Sequence, residues 1–229
     1  MDGSCIIPQP LNRGTGVAAA VALLHTLQRD ADTVVVFIPC DHYYSGAEAF
    51  SRAIGSVISG AELHPDSIVL LGAAADYAEV EYGWIEPGPA ISHAPISLLR
   101  VNRFWEKPSL LHARALLRRG CLWNTFVSAG RASTFLDLLS SQVPDVALSL
   151  NKALVENKLK VAYQAIPAVD FSRQVLVPQP HRLLTVPDTA SGWADLGSPT
   201  RVMDILARNH IQPAWLRDWP QDLAAGAAE

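Results

Sequence analysis

Thr33-Val34-Val35-Val36-Phe37-Ile38-Pro39-Cys40-Asp41-His42 is the stretch on which the fold turns. Its apolar, β-branched run is short enough for a buried strand from Thr33 to Ile38, and Pro39 closes it. Upstream, Ala18 to Leu27 is rich in Ala and Leu and follows a glycine-containing turn, so it reads as a helix. Downstream the pattern repeats, with a helix expected from Ala47 to Ile58 and a second strand at Ile68-Val69-Leu70-Leu71 before Gly72. Alternation of this kind predicts an α/β domain of sheet and helices in layers.

The rest of the chain reads less regularly. Strands are expected at Trp84-Ile85 and from Leu98 to Phe104, separated by turns at Pro87-Gly88-Pro89 and Pro95. Ser109 can cap a following helix and Gly120 can end it, with Ala113, Leu116 and Leu117 on its apolar side. Further helices are expected at Ala132 to Leu139, Val146 to Val155 and Pro199 to Ala207, with a short strand near Leu183 to Val186. Pro213 and Pro220 break the terminal segment, and Ala224 to Glu229 reads as a frayed end. The division expected is one domain over residues 1–212 and a tail over 213–229.

With 229 residues, 49% of them hydrophobic, the chain can bury a substantial core. A net charge of −4 offers no broad attraction for polynucleotides, although a local basic pocket for a nucleotide is compatible with it. Cys5, Cys40 and Cys121 are widely separated and fit no zinc spacing, which predicts reduced, mostly buried thiols. Met1-Asp2-Gly3 lacks the basic and apolar regions of a secretion signal, and no run approaches the roughly 20 apolar residues of a membrane span. A soluble, cytoplasmic protein without membrane partners is therefore expected.

Asp41 lies just beyond the strand ending at Ile38, and in open α/β sheets ligands collect at the carboxyl ends of strands. A carboxylate there suits Mg²⁺, which commonly takes one or two protein carboxylates plus phosphate oxygens. On residue type alone a turn or helix cap is the commoner role for such an Asp. His42 flanks the position, imidazole being a poor Mg²⁺ ligand. Phe104-Trp105-Glu106-Lys107-Pro108 sets a carboxylate beside an ammonium at the end of an apolar run; alone, the pair is equally an exposed ion pair.

These segments stand in order with Gln9-Pro10-Leu11-Asn12-Arg13-Gly14-Thr15, Glu81-Tyr82-Gly83-Trp84-Ile85-Glu86, Leu122-Trp123-Asn124, Val169-Asp170-Phe171-Ser172 and Gly192-Trp193-Ala194-Asp195-Leu196-Gly197. From Gln9 to about Val202 the chain resembles the sugar-1-phosphate nucleotidylyltransferases, most closely the mannose-1-phosphate guanylyltransferases. The resemblance implies a layered mixed sheet with flanking helices, the nucleotide-diphospho-sugar transferase fold, here incomplete at the N-terminus. Before Gln9 nothing matches the family's glycine-rich, arginine-bearing phosphate loop.

What the resemblance implies for single residues is specific. Asp41 and Asp195 are the metal ligands, for Mg²⁺, and with Lys107 the catalytic set. Glu106 accepts hydrogen bonds from sugar hydroxyls and Lys107 meets the sugar phosphate, while Gly83, Glu86, Asn124 and Asp170 complete the sugar side. Gln9, Asn12, Arg13, Gly14 and Thr15 face the nucleotide. Read without the resemblance, Asn12 to Thr15 is a helix-entry turn, Glu86 a solvated carboxylate, Asp170 a helix cap, and Trp84, Trp123 and Trp193 packing residues. Gly16-Val17 departs from the family's frequent Ala-Pro, which loosens the inference about the base. The implied reaction joins GTP and mannose 1-phosphate to give GDP-mannose and pyrophosphate, impaired by the missing loop. The choice of mannose comes from the resemblance; the residue types specify only a hexose phosphate. A non-catalytic sugar-nucleotide subunit, pairing with a complete homologue, is the alternative, and a homo-oligomer is open too.

Overall fold

The computed structural model describes residues 6–30, 32–91 and 96–218. Cys5, the Pro95 turn, Pro220 and the 224–229 end lie outside the described residues. The described helices are α1 (Gly14–Leu27), α2 (Ala47–Leu63), α3 (Leu110–Arg118), α4 (Ala132–Gln142), α5 (Pro144–Val155), α6 (Leu159–Ala165) and α7 (Pro199–Arg208). The strands are β1 (Val34–Phe37), β2 (His42–Tyr44), β3 (Ile68–Ala74), β4 (Gly83–Ala90), β5 (Leu99–Glu106), β6 (Leu122–Arg131), β7 (Leu183–Asp188) and β8 (Trp193–Asp195).

Six strands form one mixed sheet in the order β1-β6-β3-β7-β5-β4, and β2 pairs with β8 in a separate two-stranded ribbon. β3 and β7 run parallel, while β6 is antiparallel to β1, β3 and β4. Because successive side chains point to opposite faces, Ile68 and Leu70 enter the apolar layer that contains α1, α4 and α5. Val69 and Leu71 enter the other layer, against Val57 and Ala61 of α2. Both faces of β3 are thus covered, which is why Ile68 to Leu71 reads as an unbroken apolar run.

Several expectations shift. The Thr33 run is a strand, but β1 is an edge that pairs only with β6 among the described residues, and all four of its residues are half-buried. α1 begins at Gly14, four residues before the expected start, and α2 continues five residues past Ile58. Pro87-Gly88-Pro89 lies within β4, not in a turn; the register against β5 slips there, as prolines at an edge or bulge permit. α3 has the expected boundaries, with Ser109 Oγ accepting from the His112 amide at 3.4 Å and Gly120 in the left-handed region at φ 69°. The sequence reading missed β6 altogether, along with α6 and the ribbon. Cys121 is buried as expected, whereas Cys40 is exposed.

Candidate functional site

Apolar strand ends and turns meet in a cavity of about 480 Å³. Asp41, Gly83, Glu106, Asn124, Asp195 and Thr15 all line it. These residues come from six separate segments of sequence, and local structure explains how each arrives.

Asp41 follows β1 and enters β2, whose register pairs His42 with Asp195 of β8. The Asp41 carbonyl accepts from the Leu196 amide at 3.0 Å, which carries the pairing one residue past the ribbon, and Asp41 and Asp195 both line the cavity. Trp193 Nε1 donates to His42 Nδ1 at 3.1 Å, which assigns the proton of neutral His42 to Nε2. Burial lowers the His42 pKa, and Asp195 and Asp41 partly oppose the shift. His42 and Trp193 both line the cavity, so Trp193 is more than a packing residue. By contrast Trp84 is fully buried and Trp123 nearly so, and both serve packing.

Upstream of the ribbon turn, the buried Asp188 accepts from the amides of Ala190 (3.1 Å) and Ser191 (3.0 Å), and from the Ser191 hydroxyl. Asp195 Oδ1 accepts from the Gly197 amide and from Arg201 Nη1, the latter at 3.1 Å.

Glu106, also in the lining, ends β5 directly across from Gly83 of β4. A Cβ on Gly83 would sit 2.9 Å from Glu106 Oε2 and 3.2 Å from Asn124 Cβ, so only glycine leaves this carboxylate in place. Burial, and then the Asp170 carboxylate, push the Glu106 pKa up to about 7 against the pull of Lys107 and Arg173. Asn124 Oδ1 accepts from the Phe126 amide at 3.2 Å, which aims the side chain where β6 kinks. Phe126 itself has φ 60° and also lines the cavity. Lys107 has φ 47°, a left-handed conformation that non-glycine residues seldom adopt and that concentrates at functional sites. Its Nζ donates to Glu81 Oε2 at 3.3 Å, beside the cavity and not in its wall.

Other expected residues are elsewhere. Glu86 is three positions along β4 from Gly83, turned to the other face, and ion-paired with Arg119. Asp170 Oδ1 accepts from the Arg173 amide at 2.9 Å, at the entry to a short helical turn over Ser172–Leu176; it is outside the cavity wall, and its charge acts on Glu106.

Of the five residues expected at the nucleotide only Thr15 is in the wall, where its Oγ1 accepts from the Phe171 amide at 3.0 Å. Asn12 Oδ1 accepts from the Gly14 amide at 3.0 Å, a helix-entry turn. Arg13 donates to the carbonyls of Tyr163 (2.7 Å) and Gln164 (3.2 Å), which fixes it to α6. Gln9 Oε1 accepts from the Tyr163 hydroxyl at 3.4 Å. Gly14 has φ 79°, and a Cβ there would meet the Val169 carbonyl oxygen at 2.4 Å. Gly16 is equally tight against Val169, so the departure from Ala-Pro is a packing requirement.

Glu81, Tyr82 and Ser172 line the cavity without having been singled out for a role. Among the described lining residues are four carboxylates, Asp41, Glu81, Glu106 and Asp195, and no Lys or Arg. A phosphorylated ligand on such a wall needs added positive charge. Asp41 and Asp195 supply hard oxygen donors in the lining, a set that fits a divalent ion sharing its remaining positions with phosphate oxygens and water. Among the described residues no helix is long and apolar enough to cross a membrane.

A family model described as nucleotidyl transferase matches residues 4–210. Alginate biosynthesis protein AlgA of Pseudomonas aeruginosa is 27% identical over 215 residues, covering 89% of this chain and 43% of the relative. Mannose-1-phosphate guanylyltransferase 2 of Escherichia coli O157:H7 is 28% identical over 217 residues, 87% of this chain and 44% of the relative. A crystal structure from Thermus thermophilus, described as a mannose-1-phosphate geranyltransferase, superposes with a TM-score of 0.77 at 27% identity. The match takes in 90% of this chain and 58% of that one. The chain therefore spans less than half the length of these curated relatives.

Proposed function

Because the chain belongs to the nucleotidyl transferase family, we propose that it carries the sugar-phosphate and metal side of a mannose-1-phosphate guanylyltransferase. The reaction is transfer of GMP from GTP to mannose 1-phosphate. A phosphate oxygen of the sugar phosphate attacks the α-phosphorus of GTP, the new O–P bond forms, the bond to the β-phosphate oxygen breaks, and pyrophosphate leaves with the electron pair. The observation that carries this reading is the convergence of Asp41, Gly83, Glu106, Asn124 and Asp195 on one cavity.

Glu106 offers a half-buried acceptor to sugar hydroxyls, and Asn124 adds amide donors from β6. Lys107, paired with Glu81, would turn to the phosphate of a bound sugar phosphate, and leaving Glu81 for a phosphate exchanges one exposed ion pair for another. Asp41 and Asp195 would hold Mg²⁺, which when bound neutralises phosphate charge. Thr15 marks the edge toward the nucleotide. A cytoplasmic setting is in keeping with the free thiols of Cys40 and Cys121.

With no Lys or Arg among the described lining residues to neutralise the charge of a triphosphate and its departing pyrophosphate, a second reading is a sugar-nucleotide binding subunit that leaves turnover to a homologous enzyme. One experiment separates the two. Pyrophosphate release from GTP and mannose 1-phosphate with Mg²⁺ is measured for the purified chain and for Asp41→Asn. Turnover lost in the variant supports catalysis by this chain. Equal background in both, with saturable GDP-mannose binding, supports the subunit.

A further inference from the structure

Arg201, in the first turn of α7, does not line the cavity, yet it touches a residue that does. Its Nη1 donates to Asp195 Oδ1 at 3.1 Å and its Nη2 to Glu79 Oε2 at 3.2 Å, so one guanidinium is shared by two carboxylates. All three side chains are largely shielded, with 22% of Arg201, 22% of Asp195 and 13% of Glu79 exposed. The guanidinium carbon also lies 4.6 Å from the centre of the Tyr82 ring, whose face holds it by a cation–π contact. Glu79 is fixed in turn, since its Oε1 accepts from the amides of Val80 at 2.7 Å and Glu81 at 2.9 Å. On Asp195 both donors converge on Oδ1, and Oδ2 has no hydrogen-bond partner among the described residues.

We infer that Glu79 and Arg201 are positioning residues that set how strongly Asp195 attracts a divalent cation. Arg201 turns the carboxylate so that Oδ1 is occupied and Oδ2 is left for the ion. Its positive charge would by itself weaken the site; Glu79 takes up half of that charge, and the trio keeps a net charge of about −1 toward the cavity. The inference rests on the reading of Asp195 as a metal ligand and goes beyond it, because it gives the two partners opposite effects. Removing the Arg201 charge leaves Asp195 more negative and tightens cation binding. Removing the Glu79 charge gives the guanidinium wholly to Asp195 and loosens it. A role confined to anchoring α7 would move both variants the same way.

Mn²⁺ alone serves as the probe, its free concentration read by electron paramagnetic resonance on the full chain at low salt. Arg201→Gln is expected to bind Mn²⁺ about three- to tenfold more tightly than wild type, and Glu79→Gln about three- to tenfold more weakly. Arg201→Lys keeps the charge and should stay within about twofold of wild type, which separates charge from loss of the fork. Shifts of the same sign in Arg201→Gln and Glu79→Gln, or no shift in either, overturn the inference. Asp195→Asn tests the premise separately: if its Mn²⁺ affinity equals that of wild type, Asp195 is not a ligand, and the metal reading and this inference fall together. Circular dichroism confirms that each variant is folded, so that a lost signal is not mistaken for a lost site.

Discussion

The two walls of the cavity are built differently. Gly83, Glu106 and Asn124 stand on β4, β5 and β6, strands of eight to ten residues inside a six-stranded sheet. Asp41 and Asp195 stand on or beside β2 and β8, strands of three residues that among the described residues pair only with each other. Backbone ladders and buried side chains set the position of the sugar wall, so precision there follows from the fold. The carboxylate wall has too little ladder for that. It relies on side-chain props: Trp193 on His42, Asp188 under the turn, Arg201 behind Asp195. Damage to the first wall should therefore cost global stability, and damage to the second should cost function first.

The largest effect is expected from Trp84→Ala. Trp84 is fully buried, pairs across strands with Trp123, and donates from Nε1 to the Glu79 carbonyl at 2.8 Å. Loss of the ring should destabilise the whole chain by about 3–5 kcal/mol, read as a lower urea midpoint by fluorescence and circular dichroism together. If the two probes separate, the sugar wall is not continuous with the core.

Asp188→Ala comes next. Two amides and a hydroxyl lose a charged acceptor, a cost of about 2–3 kcal/mol. Here the comparison predicts a local outcome: hydrogen exchange should quicken across 190–195 more than in β3, and Mn²⁺ binding should weaken. Uniform quickening would mean that the ribbon and the sheet unfold as one.

Gly83→Ala should cost about 1–3 kcal/mol of stability through overpacking, and more in function. The added methyl displaces Glu106, so binding of mannose 1-phosphate, measured by calorimetry, should fall at least about tenfold, equivalent to about 1.4 kcal/mol. Mn²⁺ binding should be unchanged, because the added methyl meets Glu106, Asn124 and Phe104 and neither ribbon carboxylate. Loss of both would erase the distinction between the walls.

The same contrast separates what was legible in the sequence from what was not. Ile68 to Leu71 and the helix from Ser109 to Gly120 are visible because burial on both faces, or a cap and a stop, leave a local signature. β6 escapes because Asn124, Thr125 and Ser128 interrupt its apolar run, and Asn124, with the left-handed Phe126, is what the site uses. The ribbon escapes because three residues have no period. Its pairing of His42 with Asp195 spans more than 150 residues of sequence, and the resemblance alone joined Asp41 to Asp195. Arg13 stands outside the cavity wall for a similar reason: its chemistry suits a nucleotide, but its guanidinium is turned to two carbonyls of the α6 segment, a contact that sequence spacing does not show. Glu79 and Arg201 match no expected motif, and only the folded chain shows that they share a charge.

The smallest effect, and the most diagnostic for the sugar wall, belongs to Glu106→Gln. The Glu106 pKa rises from 4.5 to about 7, chiefly through burial and then through Asp170. The folded chain therefore holds this proton more tightly than the unfolded chain. The stabilisation is fully present below 4.5 and is lost as pH rises through about 7. Glutamine is neutral throughout, so the variant should lose this slope and match or exceed wild-type stability at about pH 8, by about 1 kcal/mol or less once solvent screening is allowed for. Binding should move in the opposite sense, because the ionised carboxylate is the stronger acceptor for a sugar hydroxyl. The wild-type advantage over Glu106→Gln in mannose 1-phosphate affinity should therefore grow from about pH 6 to about pH 8, and taking it as a difference cancels the titration of the ligand's own phosphate. A pH at which the protein loses stability while its ligand binds more tightly is what a carboxylate held for a hydroxyl, and not for the fold, would produce.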